Sequence, residues 1–417
     1  MTPELAALLT RERRRAVALL ARQLGLGHLA LAEDAVQTAT LRALERWPRE
    51  GVPERPAAWL YRVAQRLAID ELRHTRPHTA LPDDAEPEAL AAPPADEGRL
   101  AGELNDDELA LLFAACHPAL PPATQVALAL RSLLGLELAA IAPLLFSTEA
   151  ALAQRLARAR VTLGGHTLAV PGGAELPPRR EAVLSTLALV FHHGQLAAGR
   201  QGDAPQGEDP LALCWEAIRL ARALAAHPAT AAPEADALAA LLLLHGARLT
   251  GRIDDAGELV PLHGQPRDRW DAGLIRLGLV HLKASQRGTA LTRWHLQAGI
   301  AAEHAMAPSP EATNWPAIVR YYELLLAHDP SHAPRLGHAI ALAEAGEPAE
   351  AERALRALLP TVPEALQAHA CAALARALSR QGREEEADGW WQRAIEAAGH
   401  PAEARLLARV RRSAAGG

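Results

Sequence analysis

Between residues 60 and 68 the apolar side chains recur three and four positions apart, as Leu60, Val63, Ala64, Leu67 and Ala68. At 100° per residue these share one face of a helix, and Arg62, Gln65, Arg66, Ile69, Arg73 and Arg76 fall on the other. Pro56 sits where such a helix begins, and a proline in the first turn loses no hydrogen bond. The same period predicts a helix ending near residue 163, with Leu152, Leu156, Ala159 and Leu163 as its buried stripe and Ser147 or Thr148 as its N-cap. A shorter helix over about residues 137–145 precedes it, which is helix-turn-helix spacing. The C-terminal half continues in amphipathic stretches, among them DPLALCWEAIRLARALAAH, EADALAALLLLHGARL and RWDAGLIRLGLVHLKAS, parted by Gly, Pro and Asp.

Two breaks divide this pattern. Residues 82–108 are rich in proline and acid with little to bury, and so read as a linker. GGHTLAVPGGAELPP, around 164–178, stops helices on both sides. Near the C-terminus AIALAEAGEPAEAERALRALL aligns with ALARALSRQGREEEADGWWQRAI, which puts Gly346 over Gly382 and Ala351 over Ala387. A helix, a glycine turn and a second helix in each copy resemble tetratricopeptide repeats, whose period is about 34 residues. Fewer than three copies do not make a stable stack, so the preceding helices are expected to complete it.

Composition adds the fold class. The chain has 417 residues, 49% of them hydrophobic and only 3% aromatic, with β-branched residues sparse, so an all-α protein of several units is expected. The net charge of −6 conceals a pattern. Residues 1–82 carry +4, 83–108 carry −9, 109–170 carry +2 and 171–417 carry −3. Two mildly basic blocks therefore flank an acidic strip. Cys116, Cys214 and Cys371 are widely spaced and fit neither a zinc site nor a disulfide framework, which suits a reducing cytoplasm. The N-terminus has charges where a signal peptide needs an apolar run, and no stretch of eighteen uncharged apolar residues follows, so no membrane association is expected.

The candidate chemistry is that of binding. Arginines along one flank of a helix suit a phosphate backbone through forked, charge-assisted contacts. On the later helix Ala150, Gln154 and Arg158 face away from the buried stripe, with Ala151 and Arg155 at the edge of that face. Gln154 suits an adenine and Arg158 a guanine in a major groove, and Arg155 suits a phosphate. For catalysis there is little. Cys116 and His117 are adjacent but imply no third group, His192 and His193 lack a ligand-spaced partner set, and no phosphate-binding glycine loop occurs. No enzyme activity, cofactor or metal is expected. Trp47 and Trp59 read as core anchors, with stacking on melted bases as the other reading, and Tyr61 is open between the two.

LAEDAVQTATLRALERWP followed by RPAAWLYRVAQRLAIDELRHTR resembles region 2 of extracytoplasmic-function sigma factors, and HPALPPATQVALALRSLLGLE followed by GLELAAIAPLLFSTEAALAQRLARARVTL resembles region 4 of the same family. The resemblance implies two small helical domains. Region 2 spans residues 1–80 and region 4 spans 109–167, with the acidic linker 81–108 between them. The larger helical-repeat domain follows over 175–417, with its clearest repeats near 335–410. It further implies core RNA polymerase, through the β′ clamp and the β flap, and promoter DNA as partners. Asp34, Gln37, Thr38 and Leu41 would then face polymerase. Arg62, Arg66, Asp70 and Arg73 would face the −10 element, and Ala150, Gln154, Arg155 and Arg158 the −35 element. In the family the connector threads the polymerase's basic channel, a role the ten carboxylates here would suit; a solvated linker is the other reading. GELVPLHGQPRDRWD is similar to a motif of the subgroup whose C-terminal helical domain tunes activity, so a protein or peptide partner on that domain is a further expectation.

Arg66 stands where the family usually has asparagine, and the reading helix is rich in alanine. These departures motivate an alternative, a degenerate sigma-like scaffold acting through protein–protein contacts. A DNA-binding repressor acting without polymerase is a third reading, and the small basic surplus argues against it.

Overall fold

A computed structural model describes residues 3–75, 106–145, 147–198, 211–254 and 258–415. Among these residues regular structure is helical, apart from short 3-10 turns and one isolated antiparallel bridge between Ile253 and Leu259. The chain divides into two compact units, residues 1–193 with 226–230, and residues 194–225 with 231–417.

The first unit opens with α1 (Pro3–Leu24), α2 (Leu29–Glu50) and α3 (Pro56–Thr75), which pack on one another. Leu20, Leu29, Val36, Leu60, Ala64 and Ala68 fill the space between them. Trp47 is buried and meets Trp59 edge to face at 5.5 Å between ring centroids, so the pair sits where core anchors would. The Tyr61 hydroxyl donates to Gln23 Oε1 at 2.8 Å and is turned inward by that bond.

Four helices follow: α4 (Asp106–Ala115), α5 (Pro122–Ser132), α6 (Leu138–Leu144) and α7 (Glu149–Leu163). Because α4 starts at Asp106, residues 106–108, counted above with the acidic linker, belong to a helix. Leu109, Leu111, Leu112 and Phe113 give that helix an apolar surface, which draws the segment into the core. The rest of the expected linker, residues 81–105, and Arg76 lie outside the described residues. The two consecutive helices expected there are α6 and α7, which pack on one another, and Thr148 caps α7 by accepting from the Ala151 amide at 3.2 Å. Leu152, Leu156, Ala159 and Leu163 are all buried. The division between the units falls within α8 (Leu176–Ala198).

The second unit contains α9 (Ala212–Ala226), α10 (Pro233–Gly246), α11 (Ala272–Ser285), α12 (Arg293–Met306), α13 (Trp315–His328), α14 (His332–Glu344), α15 (Pro348–Leu358), α16 (Glu364–Ser379), α17 (Glu384–Glu396) and α18 (Pro401–Ala415). From α12 onward each helix packs on the next, which makes a helical-repeat stack. The turns after α14 and α16 are alike. Gly346 and Gly382 adopt φ of 93° and 73°, and the amide just after each glycine reaches back, Glu347 to the Leu342 carbonyl at 2.9 Å and Arg383 to the Leu378 carbonyl at 3.1 Å. Both are Schellman caps, which need a residue free to take a left-handed conformation. Across the repeats Glu352 accepts from Arg356 at 2.8 Å, Gln381 at 2.9 Å and Arg383 at 2.7 Å. Burial alone would raise its carboxyl pKa, yet these hydrogen bonds hold it down to about 2.

The segment containing GELVPLHGQPRDRWD is the longest departure from helix among the described residues of this unit. It is pinned by side chains: Arg405 pairs with Glu258 at 2.9 Å, Arg409 reaches Asp254 and the Leu259 carbonyl, and Arg267 lies over the buried Trp270 ring at 4.1 Å.

Candidate functional site

The predicted −10 face lies on α3. Arg62, Arg66, Asp70 and Arg73 are exposed, and the helix is held from behind by Leu60, Ala64 and Ala68. Successive members are three or four residues apart, so the row follows the helix axis for about 16 Å at ~1.5 Å per residue. On α7 Ala150, Gln154 and Arg158 are exposed and Arg155 is partly so. Arg158 Nε leans back onto the Gln154 carbonyl at 3.4 Å. Both rows therefore present side chains to solvent.

The four residues expected to face polymerase behave differently from one another. Thr38 and Leu41 are exposed, Leu41 at 55%. Asp34 and Gln37 are engaged by the second helical block. Gln37 donates to Glu137 Oε1 at 2.7 Å and accepts from Arg131 at 3.3 Å, and Asp34 pairs with Arg131 at 3.5 Å.

Beneath them lies a set of residues the sequence reading passed over. Glu33 is 2% exposed. Its carboxylate pairs with Arg160 at 2.6 Å and with Arg131 at 3.8 Å, and it accepts from the Ser132 hydroxyl. Burial pushes the Glu33 carboxyl pKa up, while Arg160, the Ser132 hydroxyl and Arg131 pull it back. Arg131 also reaches Glu137 at 2.9 Å and the Leu136 carbonyl at 3.1 Å. At the rim Arg13 donates to the Gly135 carbonyl. Gly135 has φ +67°, a conformation that favours glycine, and a Cβ there would push the Arg13 guanidinium aside. At the far edge Gly27 and Gly164 approach so closely that a Cβ on either lies 3.6–3.8 Å from the other's Cα.

The signal for this network was present in the pattern. Glu33 lies four residues after Leu29 and three before Val36, and Arg160 four after Leu156 and three before Leu163. A charge standing on an apolar stripe is not left unpaired in a folded core.

The residues considered for catalysis are not brought into a nucleophilic arrangement. Burial pushes the Cys116 thiol up to about 12, only partly offset by Thr186 and Arg179, so it stays protonated near neutral pH. His117 lies against His166, ring centroids 4.3 Å apart, and burial lowers the His117 pKa. Among the described residues no group of three or more His, Cys, Asp or Glu is placed to hold a metal ion. No helix among them is long and apolar enough to cross a membrane.

Comparison with known proteins agrees with the first part of this geometry. Residues 8–77, which contain α2, α3 and most of α1, match the family model for sigma-70 region 2. Residues 179–286 match a family of unknown function, DUF6596. Uncharacterized protein R00370 of Rhizobium meliloti (strain 1021) is 39% identical over 325 residues, which cover 76% of this chain and 74% of that protein. The chain belongs to the family of that rhizobial protein. Its N-terminal sigma-70 region 2 supports a sigma-factor-like role in binding RNA polymerase. Among solved structures, that of yeast Tom70 aligns with a TM-score of 0.33 and 12% identity over 94% of this chain and 82% of the other.

Proposed function

We propose that the chain is an alternative sigma factor of the extracytoplasmic-function type, which binds core RNA polymerase and directs initiation at selected promoters. In this reading α2 docks on polymerase through Asp34, Gln37, Thr38 and Leu41. The α3 row meets the −10 element, α7 reads the −35 element, and the tetratricopeptide-like second unit regulates in cis through a protein or peptide partner. The observation that carries the reading is the exposed row Arg62, Arg66, Asp70 and Arg73, which lies inside the segment matched by sigma-70 region 2. The exposed Gln154 and Arg158 on a Thr148-capped second helix support the second DNA contact. The linker between α3 and α4 is assigned to the polymerase channel on its seven carboxylates.

The test uses the full chain with core polymerase. Retention on core, and initiation from a shared promoter motif after overexpression, are the expected results; no retention sinks the reading. Replacing Arg155 and Arg158 with alanine is expected to leave core retention intact. Promoter-dependent transcription should fall about tenfold or more, since each specific base contact is worth about 1–3 kcal/mol. A scaffold that acts without DNA would keep its output in that variant.

A further inference from the structure

The second helical block engages two of the four residues assigned to polymerase. Asp34 and Gln37 are bound by Arg131 and Glu137, and beneath them Glu33 is locked to Arg160 and Ser132. We infer that the first unit is a closed, self-inhibited state, in which the α5–α7 block is clasped onto α2 and core polymerase must displace it before docking. The inference rests on the sigma-factor reading of that face.

Three observations carry it. The first is specificity: the side chains of Glu33, Asp34, Gln37, Arg131, Glu137 and Arg160 converge with defined partners on one patch, and Gly135, at φ +67°, presents its carbonyl to Arg13. The second is competition. Gln37 donates to Glu137 and accepts from Arg131, and Asp34 pairs with Arg131, so a polymerase group drawn to Gln37 or Asp34 competes with partners already supplied by the second block. The third is distance. Elements centred near −10 and −35 lie about 25 base pairs apart, or about 85 Å of duplex at ~3.4 Å per base pair. A compact unit of about 200 residues has a radius of gyration of about 16 Å. With Glu33 holding Arg160, which lies only one and a half turns beyond Gln154 on α7, the two DNA rows cannot reach both elements together. Opening is therefore required for promoter binding as well as for docking.

The clasp supplies its own probe. Gly27 and Gly164 have no left-handed backbone and a Cβ on either would lie 3.6–3.8 Å from the other's Cα, so Gly27→Cys with Gly164→Cys sets two thiols side by side across the closed interface. The three native cysteines are buried and can be kept. In the full chain the pair is expected to oxidise readily, and Arg160→Ala is expected to slow that oxidation. The oxidised chain should lose retention on core polymerase by at least about tenfold and recover it on reduction. Arg160→Ala should bind core up to about tenfold more tightly, as when a competent fraction rises from about one in ten to near one. A pair that does not cross-link overturns the clasp whatever polymerase does, and so does an oxidised chain retained as well as the reduced one. An Arg160→Ala chain that shifts neither measurement also overturns it. If the cross-link forms but neither the reduced chain nor Arg160→Ala is retained on core, the sigma-factor reading has failed and the clasp has lost its role with it.

Discussion

Glu33 bears on stability as well as on regulation, because its carboxylate is the one anion shared by Arg160, Arg131 and Ser132. Removing one member of a buried ion pair costs about 3–5 kcal/mol, most of it the stranded charge. Arg131 keeps Asp34 and Glu137, so the loss in Glu33→Ala falls mainly on Arg160 and belongs near 3 kcal/mol, the low end of that ~3–5 range. Glu33→Gln keeps an acceptor for Ser132 and, since burial already disfavours the charged carboxylate, should cost less than Glu33→Ala. Amide hydrogen exchange in α5 and α7 measures both. Equal protection in the wild-type and alanine chains would show that Glu33 does not hold the block. Asp34 and Gln37 were singled out by the resemblance alone; the partners the fold gives them were not foreseen, because pairing across about a hundred residues leaves no local period. The most the sequence offered was a charge out of place on an apolar stripe.

At the scale of elements, local physics carried further. Proline at the start of α3, threonine before α7 and period-3.6 stripes marked helices that the structure places close to where the pattern put them. The boundary of α4 was the exception, since an acidic run reads as solvated until the apolar residues behind it are seen to pull it into a core. The repeat offset of Gly346 over Gly382 was legible for a physical reason, because each closes a Schellman cap with positive φ. An alanine there must adopt a left-handed conformation at a cost of about 1–2 kcal/mol. Neither glycine has atoms within 4 Å of a would-be Cβ, so strain alone is at stake. Gly346→Ala is thus expected to lower stability of the second unit by about 1–2 kcal/mol, and Gly346→Asn by less, because asparagine tolerates that region. Chemical denaturation of the three chains checks the order. An asparagine variant as damaged as the alanine one would mean that the turn is not held by its backbone conformation.

For the whole molecule the uneven charge decides how the chain meets DNA on its own. Its −6 includes only small basic surpluses at the two helical blocks, +4 over residues 1–82 and +2 over residues 109–170. The cations assigned to DNA are Arg62, Arg66 and Arg73 on α3 and Arg155 and Arg158 on α7. Each phosphate neutralised steepens the dependence of log affinity on log salt by about 0.9. If the clasp lets one block bind at a time, the slope for a short duplex is no steeper than about −2.7 for α3 or about −1.8 for α7. An open chain using both blocks would approach about −4.5. The full chain, titrated by fluorescence anisotropy across a salt series, is expected in the shallower range, and the oxidised Gly27→Cys, Gly164→Cys chain should stay there. Arg160→Ala removes a cation from α7 and would by itself flatten the slope. A steeper slope in that variant can therefore come only from release of the second block. A slope near −4.5 in the cross-linked chain would instead mean that cations outside these two rows bind the duplex, and that the faces assigned on α3 and α7 are incomplete.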